Sequence, residues 1–300
     1  MHKPQTVIFG EVLYDCFPDG KRVLGGAPFN VAWHCQAFGM QPLLISRIGD
    51  DSPGQQIQQA MRDWGMATDG LQIDSQHPSG VVDVRFEQGE PSYTIVDNGA
   101  WDFIDKTCLP ELHNNSILYH GSLALRNPAS AAALDYIKQQ VNMSIFVDIN
   151  LRSPWWTLPQ IRQMVSDARW LKLNQHELVQ IQPDIAEAAV EDDKMLVKLL
   201  QLYQLELLIV TRGEQGVVAC DQQGEISRVV PEAVAQVADT VGAGDAFSSV
   251  MLLGQYQQWP LPVRLQRALQ FASAVVGLQG ATSRDIGFYQ PFIDAWQLSV

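Results

Sequence analysis

Short apolar runs alternate along this chain with stretches whose apolar residues recur every three to four positions. Val7–Val12, Leu43–Ile48, Ile117–His120, Ile145–Ile149, Trp170–Leu173 and Leu207–Thr211 are brief, rich in branched residues and apolar throughout, the pattern of strands buried on both faces. Between them Ala27–Phe38, Pro53–Trp64, Pro128–Val141, Leu158–Asp167, Ala186–Tyr203 and Val263–Leu278 carry the helical period, several with Ser, Asn or Asp near the start. Strand–helix alternation of this kind predicts an α/β fold with a mainly parallel central sheet covered by helices on both faces. A different texture marks Ser79–Phe86 and Ser92–Val96, two alternating segments flanking Glu87-Gln88-Gly89-Glu90-Pro91, which predict a hairpin. With Leu13–Phe17 and Lys21–Leu24 the hairpin forms either a small sheet projecting from the core or an ordinary sheet edge. No linker or repeat divides the chain, so one domain over residues 1–300 is expected, with a subregion at about 13–25 and 79–98.

Two turns carry most of the polar chemistry. Asp239-Thr240-Val241-Gly242-Ala243-Gly244-Asp245-Ala246-Phe247 joins a run of small residues to an apolar helix predicted from Ala246 to about Tyr256. Small residues let successive backbone N–H groups face one point, and the positive end of the helix dipole adds to them, which suits a phosphoryl group. Asp245 falls in the first helical turn, within reach of a hydroxyl aligned on that phosphoryl group, and so is a candidate general base. The second turn is Gly25-Gly26-Ala27-Pro28-Phe29-Asn30-Val31-Ala32. Near it Asp15 closes Gly10-Glu11-Val12-Leu13-Tyr14-Asp15 at the end of the first expected strand, where open α/β sheets bind ligands. A carboxylate there accepts hydrogen bonds from hydroxyls, and the amide of Asn30 both donates and accepts. On the residues alone, a loop carboxylate and a first-turn asparagine remain open readings.

Taken together, the two turns resemble the signatures of the ribokinase-like, or phosphofructokinase-B type, family of carbohydrate kinases. Gly-Gly-x-Pro-x-Asn-x-Ala at Gly25–Ala32 and Asp-Thr-x-Gly-Ala-Gly-Asp at Asp239–Asp245 stand in that family's order, and the resemblance runs from Val7 to about Ala281. It implies transfer of a phosphoryl group from ATP, with Mg2+, to a sugar hydroxyl. Asp245 would be the base, the amides of Gly242, Ala243 and Gly244 would stabilise the transferring group, and Asp15, Gly25, Gly26 and Asn30 would hold the sugar. Asp148-Ile149-Asn150-Leu151-Arg152 matches the family's Asp-x-Asn-x-Arg, placing the planar fork of Arg152 near a phosphate or carboxylate.

The same resemblance assigns Asn174 and Glu177, its Asn-x-x-Glu, to hydrated magnesium, which keeps several waters and uses few protein carboxylates. Those two residues also spell a capping box, and both readings can hold together. Thr211-Arg212-Gly213-Glu214-Gln215-Gly216 resembles the nucleotide loop through Thr211, Gly213 and Gly216, or is a turn before Val217–Cys220. Small residues at Ala272, Ala274 and Gly277 stand where the family packs adenine, and carbonyls near Asp239, Val241 and Gly280 would hold a monovalent cation such as K+. The hairpin sheet becomes a lid over the sugar and a surface for a homodimer. His120-Gly121-Ser122-Leu123-Ala124 and the aromatic pair Trp101 and Phe103 are similar to the fructokinase branch, so fructose is the expected acceptor. 2-Keto-3-deoxygluconate, another ketose or a nucleoside is the alternative, and Trp101 and Phe103 serve either the sugar or the packing of core and lid.

Composition narrows the field further. The hydrophobic content of 46% suffices for a large core, and a net charge of −13 without a basic stripe argues against nucleic acid or an anionic membrane as partner. ATP must therefore be met by helix N-termini, a metal ion and local cations such as Arg152 and Lys172. The 4 cysteines show no C-x-x-C spacing and no secretory leader precedes them, so a reducing cytoplasm is expected. Apolar runs fall short of the roughly eighteen residues of a membrane span. No H-x-x-x-H or Cys/His cluster suggests zinc, and neither a Walker Gly-x-x-x-x-Gly-Lys nor a His-Arg-Asp loop is present. Retention of Asp245 with its glycine loop argues against a sugar-binding regulator without turnover, and the absence of G-x-G-x-x-G argues against a Rossmann dehydrogenase.

Overall fold

In the computed structural model, which describes residues 4–87, 90–182, 192–231 and 241–299, the apolar runs pair side by side. The strands are β1 (Thr6–Phe9), β2 (Leu13–Cys16), β3 (Arg22–Gly25), β4 (Leu43–Gly49), β5 (Leu71–Asp74), β6 (Gly80–Glu87), β7 (Glu90–Ile95), β8 (Ser116–His120), β9 (Met143–Asp148), β10 (Trp170–Asn174), β11 (Leu207–Thr211), β12 (Val217–Asp221) and β13 (Ile226–Val229). The helices are α1 (Ala27–Ala37), α2 (Ser52–Asp63), α3 (Pro128–Gln140), α4 (Leu158–Ser166), α5 (Gln175–Ile181), α6 (Asp193–Leu202), α7 (Ala243–Tyr256), α8 (Leu261–Val275) and α9 (Ile286–Ala295). Among the described residues, a 9-stranded sheet runs in the order β13-β12-β11-β10-β9-β8-β1-β4-β5. Its neighbours are parallel from β5 through β11, and the pairs at the β12 and β13 edge are antiparallel. This is the α/β architecture that the alternation predicts.

The strand period of two sorts side chains between two layers. Ile8, Leu44, Tyr119 and Ile209 pack with Phe29, Phe247, Phe271 and Tyr289 of α1, α7, α8 and α9. Val7, Phe9, Ile45 and Leu118 pack on the other side with Leu134, Ile161, Leu178 and Leu199 of α3 to α6. Full burial of such a side chain contributes about 1.5–3 kcal/mol, which is why both faces need helical cover. Polar residues start these helices. Asp51, Asn127 and Thr157 accept from the backbone N–H of Gly54, Ala129 and Gln160, each with a proline in the first turn that follows.

The first strand is shorter than expected. β1 stops at Phe9 because Gly10 turns the chain with φ +148, and a Cβ there would lie 2.5 Å from Pro28. Leu13–Cys16 consequently joins a separate 4-stranded sheet of order β3-β2-β6-β7, in which β2 is parallel to β6 and the β6–β7 hairpin is antiparallel. The hairpin is thus part of a small sheet rather than an edge of the large one. Of the helix expected over Ala186–Tyr203, α6 accounts for Asp193–Leu202, and residues 183–191 lie outside the described residues. No helix among the described residues is long and apolar enough to cross a membrane.

Candidate active site

A cavity of about 680 Å³ opens between the small sheet and the ends of β1, β9 and β10. Leu13, Asp15, Val82 and Ile95 of the small sheet form one wall, Gly26, Ala27 and Asn30 of the α1 start another, and Gly242, Gly244 and Asp245 of the α7 start a third. Arg152 and Asn174 line it as well.

The two glycine turns bring these walls together. Gly26 precedes α1 at φ +107, and a Cβ on it would lie 2.6 Å from the carbonyl oxygen of Glu11, so only glycine lets α1 start against the chain leaving β1. Gly25 stands beside Asp15 and Asn30, an added Cβ falling 3.5 Å from Asp15 Oδ2 and 3.9 Å from Asn30 Oδ1. Asp15 belongs to β2 of the small sheet, as the Leu13–Phe17 segment allowed, rather than to the end of the first strand, and it faces the cavity. Gly242 caps α7 in the left-handed region at φ +83 and touches Ala281, leaving no room for a side chain. Gly242 supplies no capping side chain, so among the described residues the first-turn N–H groups of α7 can turn to a ligand.

Asp245 is half-buried in that first turn and accepts a hydrogen bond from Asn30 Nδ2 at 2.8 Å. Burial pushes its carboxyl up to about 6; the Asn30 donor, Lys172 and Arg152 oppose the shift and Asp148 adds to it. Such a group is ionised at neutral pH and still basic enough to take a proton from a hydroxyl. Behind the loop, buried Asp148 Oδ2 accepts from Lys172 Nζ at 2.7 Å, Ser248 Oγ at 2.8 Å and Tyr119 Oη at 3.1 Å. This network ties β8, β9 and β10 to α7. Lys172 Nζ lies only 3.3 Å from where a Cβ of Gly244 would be, so its positive charge underlies the phosphate-type loop.

Asn174 and Glu177 form the full capping box. Asn174 Oδ1 accepts from Glu177 N at 2.9 Å, and Glu177 Oε2 accepts from Asn174 N at 2.8 Å. Glu177 Oε1 also accepts from Leu151 N at 2.9 Å, which pins the Arg152 loop to α5. Burial raises this carboxyl above its ordinary value. With each oxygen already taking a backbone N–H, Glu177 suits a metal ion only through water.

Other expectations fall outside this cavity. Trp101 is wholly buried, with the indole nitrogen against Gly80 and the Arg126 guanidinium 4.3 Å over its ring. Phe103 stacks on His77 at 3.7 Å and lines a separate cleft of about 410 Å³. Neither aromatic lines the cavity, which corrects their reading as sugar contacts: Trp101 packs against Gly80 and Gly99, and Phe103 turns to His77. Thr211, Gly213 and Gly216 make the β11–β12 turn, Gly216 at φ +87 against Val229, and do not line the cavity. Val241 lines it, Gly280 sits at φ +89 next to Ala281, and Asp239 lies outside the described residues. Asn150 of the Asp-x-Asn-x-Arg match lines the cavity, as do Glu11 and Trp155, to which sequence reasoning gave no role. Glu11 carried one signal, a charge inside the apolar run Val7–Val12.

Residues 8–286 match the model of the pfkB family of carbohydrate kinases. Fructokinase of Escherichia coli is 30% identical over 261 residues, which make up 82% of this chain and 83% of that one. Among solved structures, a double mutant of fructokinase from Vibrio cholerae O395, bound to fructose, ADP and potassium ion, superposes with a TM-score of 0.80 at 22% identity, covering 97% of this chain and 99% of that one. Aminoimidazole riboside kinase from Salmonella enterica, complexed with its riboside and an ATP analog, gives a TM-score of 0.76 at 23% identity over 92% of this chain and 95% of that one. With a carboxylate at the helix-capped glycine loop and a family match over most of its length, the chain belongs to the pfkB family of carbohydrate kinases and is an ATP-dependent sugar kinase.

Proposed function

We propose that the acceptor is fructose and that Asp245 takes the proton of the hydroxyl that attacks the γ-phosphoryl group of ATP. The observation carrying this reading is the convergence on one cavity of Asp245 and its Asn30 donor with Asp15 and the open start of α7. Asp15 and Asn30 would receive the sugar hydroxyls. The first-turn amides of α7, with Lys172 beneath them, would stabilise charge developing on the transferring group, so the site works by positioning and electrostatics. Deprotonation of the hydroxyl by Asp245 accompanies formation of the new O–P bond, and ADP leaves with the electrons of the broken one.

Magnesium, when bound with ATP, screens the phosphate oxygens; Asn174, and Glu177 through water, are the residues here that would face it. Potassium is supported by the contact of the Gly242 turn with Ala281, which sets Val241 beside the Gly280 turn. The β11–β12 turn through Thr211, Gly213 and Gly216 remains the proposed nucleotide loop, and the small sheet the proposed lid and dimer surface. Free thiols at Cys16, Cys35, Cys108 and Cys220 suit a reducing cytoplasm.

Arg152 favours one second reading, a sugar acid such as 2-keto-3-deoxygluconate, because its cation lines the cavity, where a carboxylate could meet it. Three carboxyl groups, of Glu11, Asp15 and Asp245, line it too, and Arg152 acts on Glu11 and Asp245. The balance therefore favours a neutral polyol. A panel of fructose, ribose, adenosine and 2-keto-3-deoxygluconate with Mg-ATP, read as ADP formed, tests this: fructose should have the highest kcat/KM, and faster turnover of the acid would replace it.

A further inference from the structure

Phosphoryl transfer as derived above leaves one carboxyl of the cavity without a task. Glu11 follows the Gly10 turn at the end of β1, is 4% exposed, and lines the same cavity as Asp15, Asn30 and Asp245. Burying a carboxylate is costly unless partners are supplied, and an uncharged side chain would fill the same place without that cost. The partners are only partial. The backbone N–H of Ala27, its own N–H and the charge of Arg152 favour the ionised form, whereas burial and Asp245 oppose it.

Each wall presents a defined set of charges to Glu11. α1 offers the Ala27 N–H, α7 offers Asp245, the segment after β9 offers Arg152, and β2 offers Asp15. Burial pushes Glu11 up to about 7 and Asp245 up to about 6, so two carboxyls in one cavity change charge close to neutrality. An ionised carboxylate has about four lone-pair sites, more than two backbone donors use. Asp15 and Glu11 come from separate segments, and together they can fix two hydroxyls while a third meets Asp245.

We propose that ionised Glu11 accepts a hydrogen bond from a sugar hydroxyl other than the one phosphorylated, and thereby holds the reacting hydroxyl on Asp245. This rests on the neutral-sugar reading given above. It makes Glu11 a residue that selects the acceptor and the hydroxyl phosphorylated. Sugar binding then expels whatever proton Glu11 carries.

The test combines kinetics with calorimetry. Glu11→Gln should raise the KM for fructose about 10–100-fold, the worth of a hydrogen bond to a charged group, and leave the KM for ATP close to that of the unaltered enzyme. In the unaltered enzyme, log kcat/KM for fructose should fall with a limiting slope near two below about pH 6, and in Glu11→Gln with a slope near one. Fructose titrated at pH 7 into Asp245→Asn, in two buffers of different ionisation enthalpy, should release a fraction of a proton per site, all of it from Glu11 and less than one half, because loss of the Asp245 charge lets Glu11 ionise more readily. An unchanged fructose KM in Glu11→Gln, or no proton release from Asp245→Asn, would overturn the assignment. If Glu11→Gln does not fold, the Asp245→Asn titration decides alone. Failure of the unaltered enzyme to phosphorylate any neutral sugar sinks the acceptor reading and Glu11 with it, whereas turnover of fructose without these Glu11 effects sinks Glu11 only.

Discussion

The side-chain amide of Asn30 donates to Oδ2 of Asp245 at 2.8 Å, across 215 positions of sequence. The hydrogen bond joins the first turns of α1 and α7, the two helices whose starts line the cavity. It orients the carboxylate and favours its charged form, so a single contact couples the proposed sugar side to the proposed base.

Asp245→Asn should therefore keep both substrates bound and lower kcat by about 10²–10⁴, the usual contribution of a positioned general base. Asn30→Leu removes the donor that holds the Asp245 carboxyl down, so the acid limb of the pH–rate profile should move to higher pH. Steady-state kinetics from pH 5 to 9 check both, and near-normal kcat in Asp245→Asn would remove Asp245 from the chemistry.

The same carboxyl predicts a trade between activity and stability. Its ordinary value of 3.8 is raised to about 6 by folding, mainly through burial. The folded state thus holds the proton more tightly than the unfolded chain, and the stabilisation is fully present below pH 3.8 and lost as pH rises through 6. Asn at this position carries no such charge. Asp245→Asn should be more stable than the parent at pH 7.5, by on the order of 1–3 kcal/mol, with the gap closing near pH 4. Thermal denaturation at the two pH values measures it; an equal Tm at pH 7.5 would show that solvent entering the cavity relieves the burial.

Gly242→Ala probes the loop itself. The residue stands at φ +83 with an added Cβ 2.4 Å from Ala281, so the backbone penalty of about 1–2 kcal/mol comes with a clash against a buried neighbour. The relief is to shift the start of α7, which moves the first-turn amides and Asp245 together. A fall in kcat far larger than the rise in sugar KM is expected, and kinetics matching the parent would show that the loop tolerates another backbone.

How far this was legible follows from the range of each signal. The large sheet could be read because its strands are apolar runs between helices of clear period, and the two glycine turns because their chemistry is contiguous in sequence. Asn30 and Asp245 could be named separately, but their contact could not, since it depends on how α1 and α7 cross. The sequence overextends β1 because Gly10 breaks the sheet inside an apolar run, and that break separates β1 from β2, which carries Asp15. α9 escaped notice because Pro291 sits within it, where the local rule ends a helix. Glu177 was read correctly as a cap, while its hold on Leu151 N needed the fold.

Trp101, Phe103 and Asp15 provide the sharpest contrast between what the sequence suggested and what the cavity contains. Asp15 lines it, so Asp15→Ala should raise the sugar KM about 10–100-fold through loss of a hydrogen bond to a charged group, with little change in the KM for ATP. Phe103 stacks on His77 in the other cleft, so Phe103→Ala should leave the sugar KM unchanged. Trp101 is fully buried under the small sheet with Arg126 over its ring, and Trp101→Ala should cost about 3–5 kcal/mol of stability. Its effect on the sugar should come only through loosening of the wall that β2, β6 and β7 provide. Calorimetric sugar titrations beside chemical denaturation separate the cases: a large loss of sugar affinity in Phe103→Ala at unchanged stability would return that ring to the acceptor site, and an unaffected Asp15→Ala would remove the carboxylate from it.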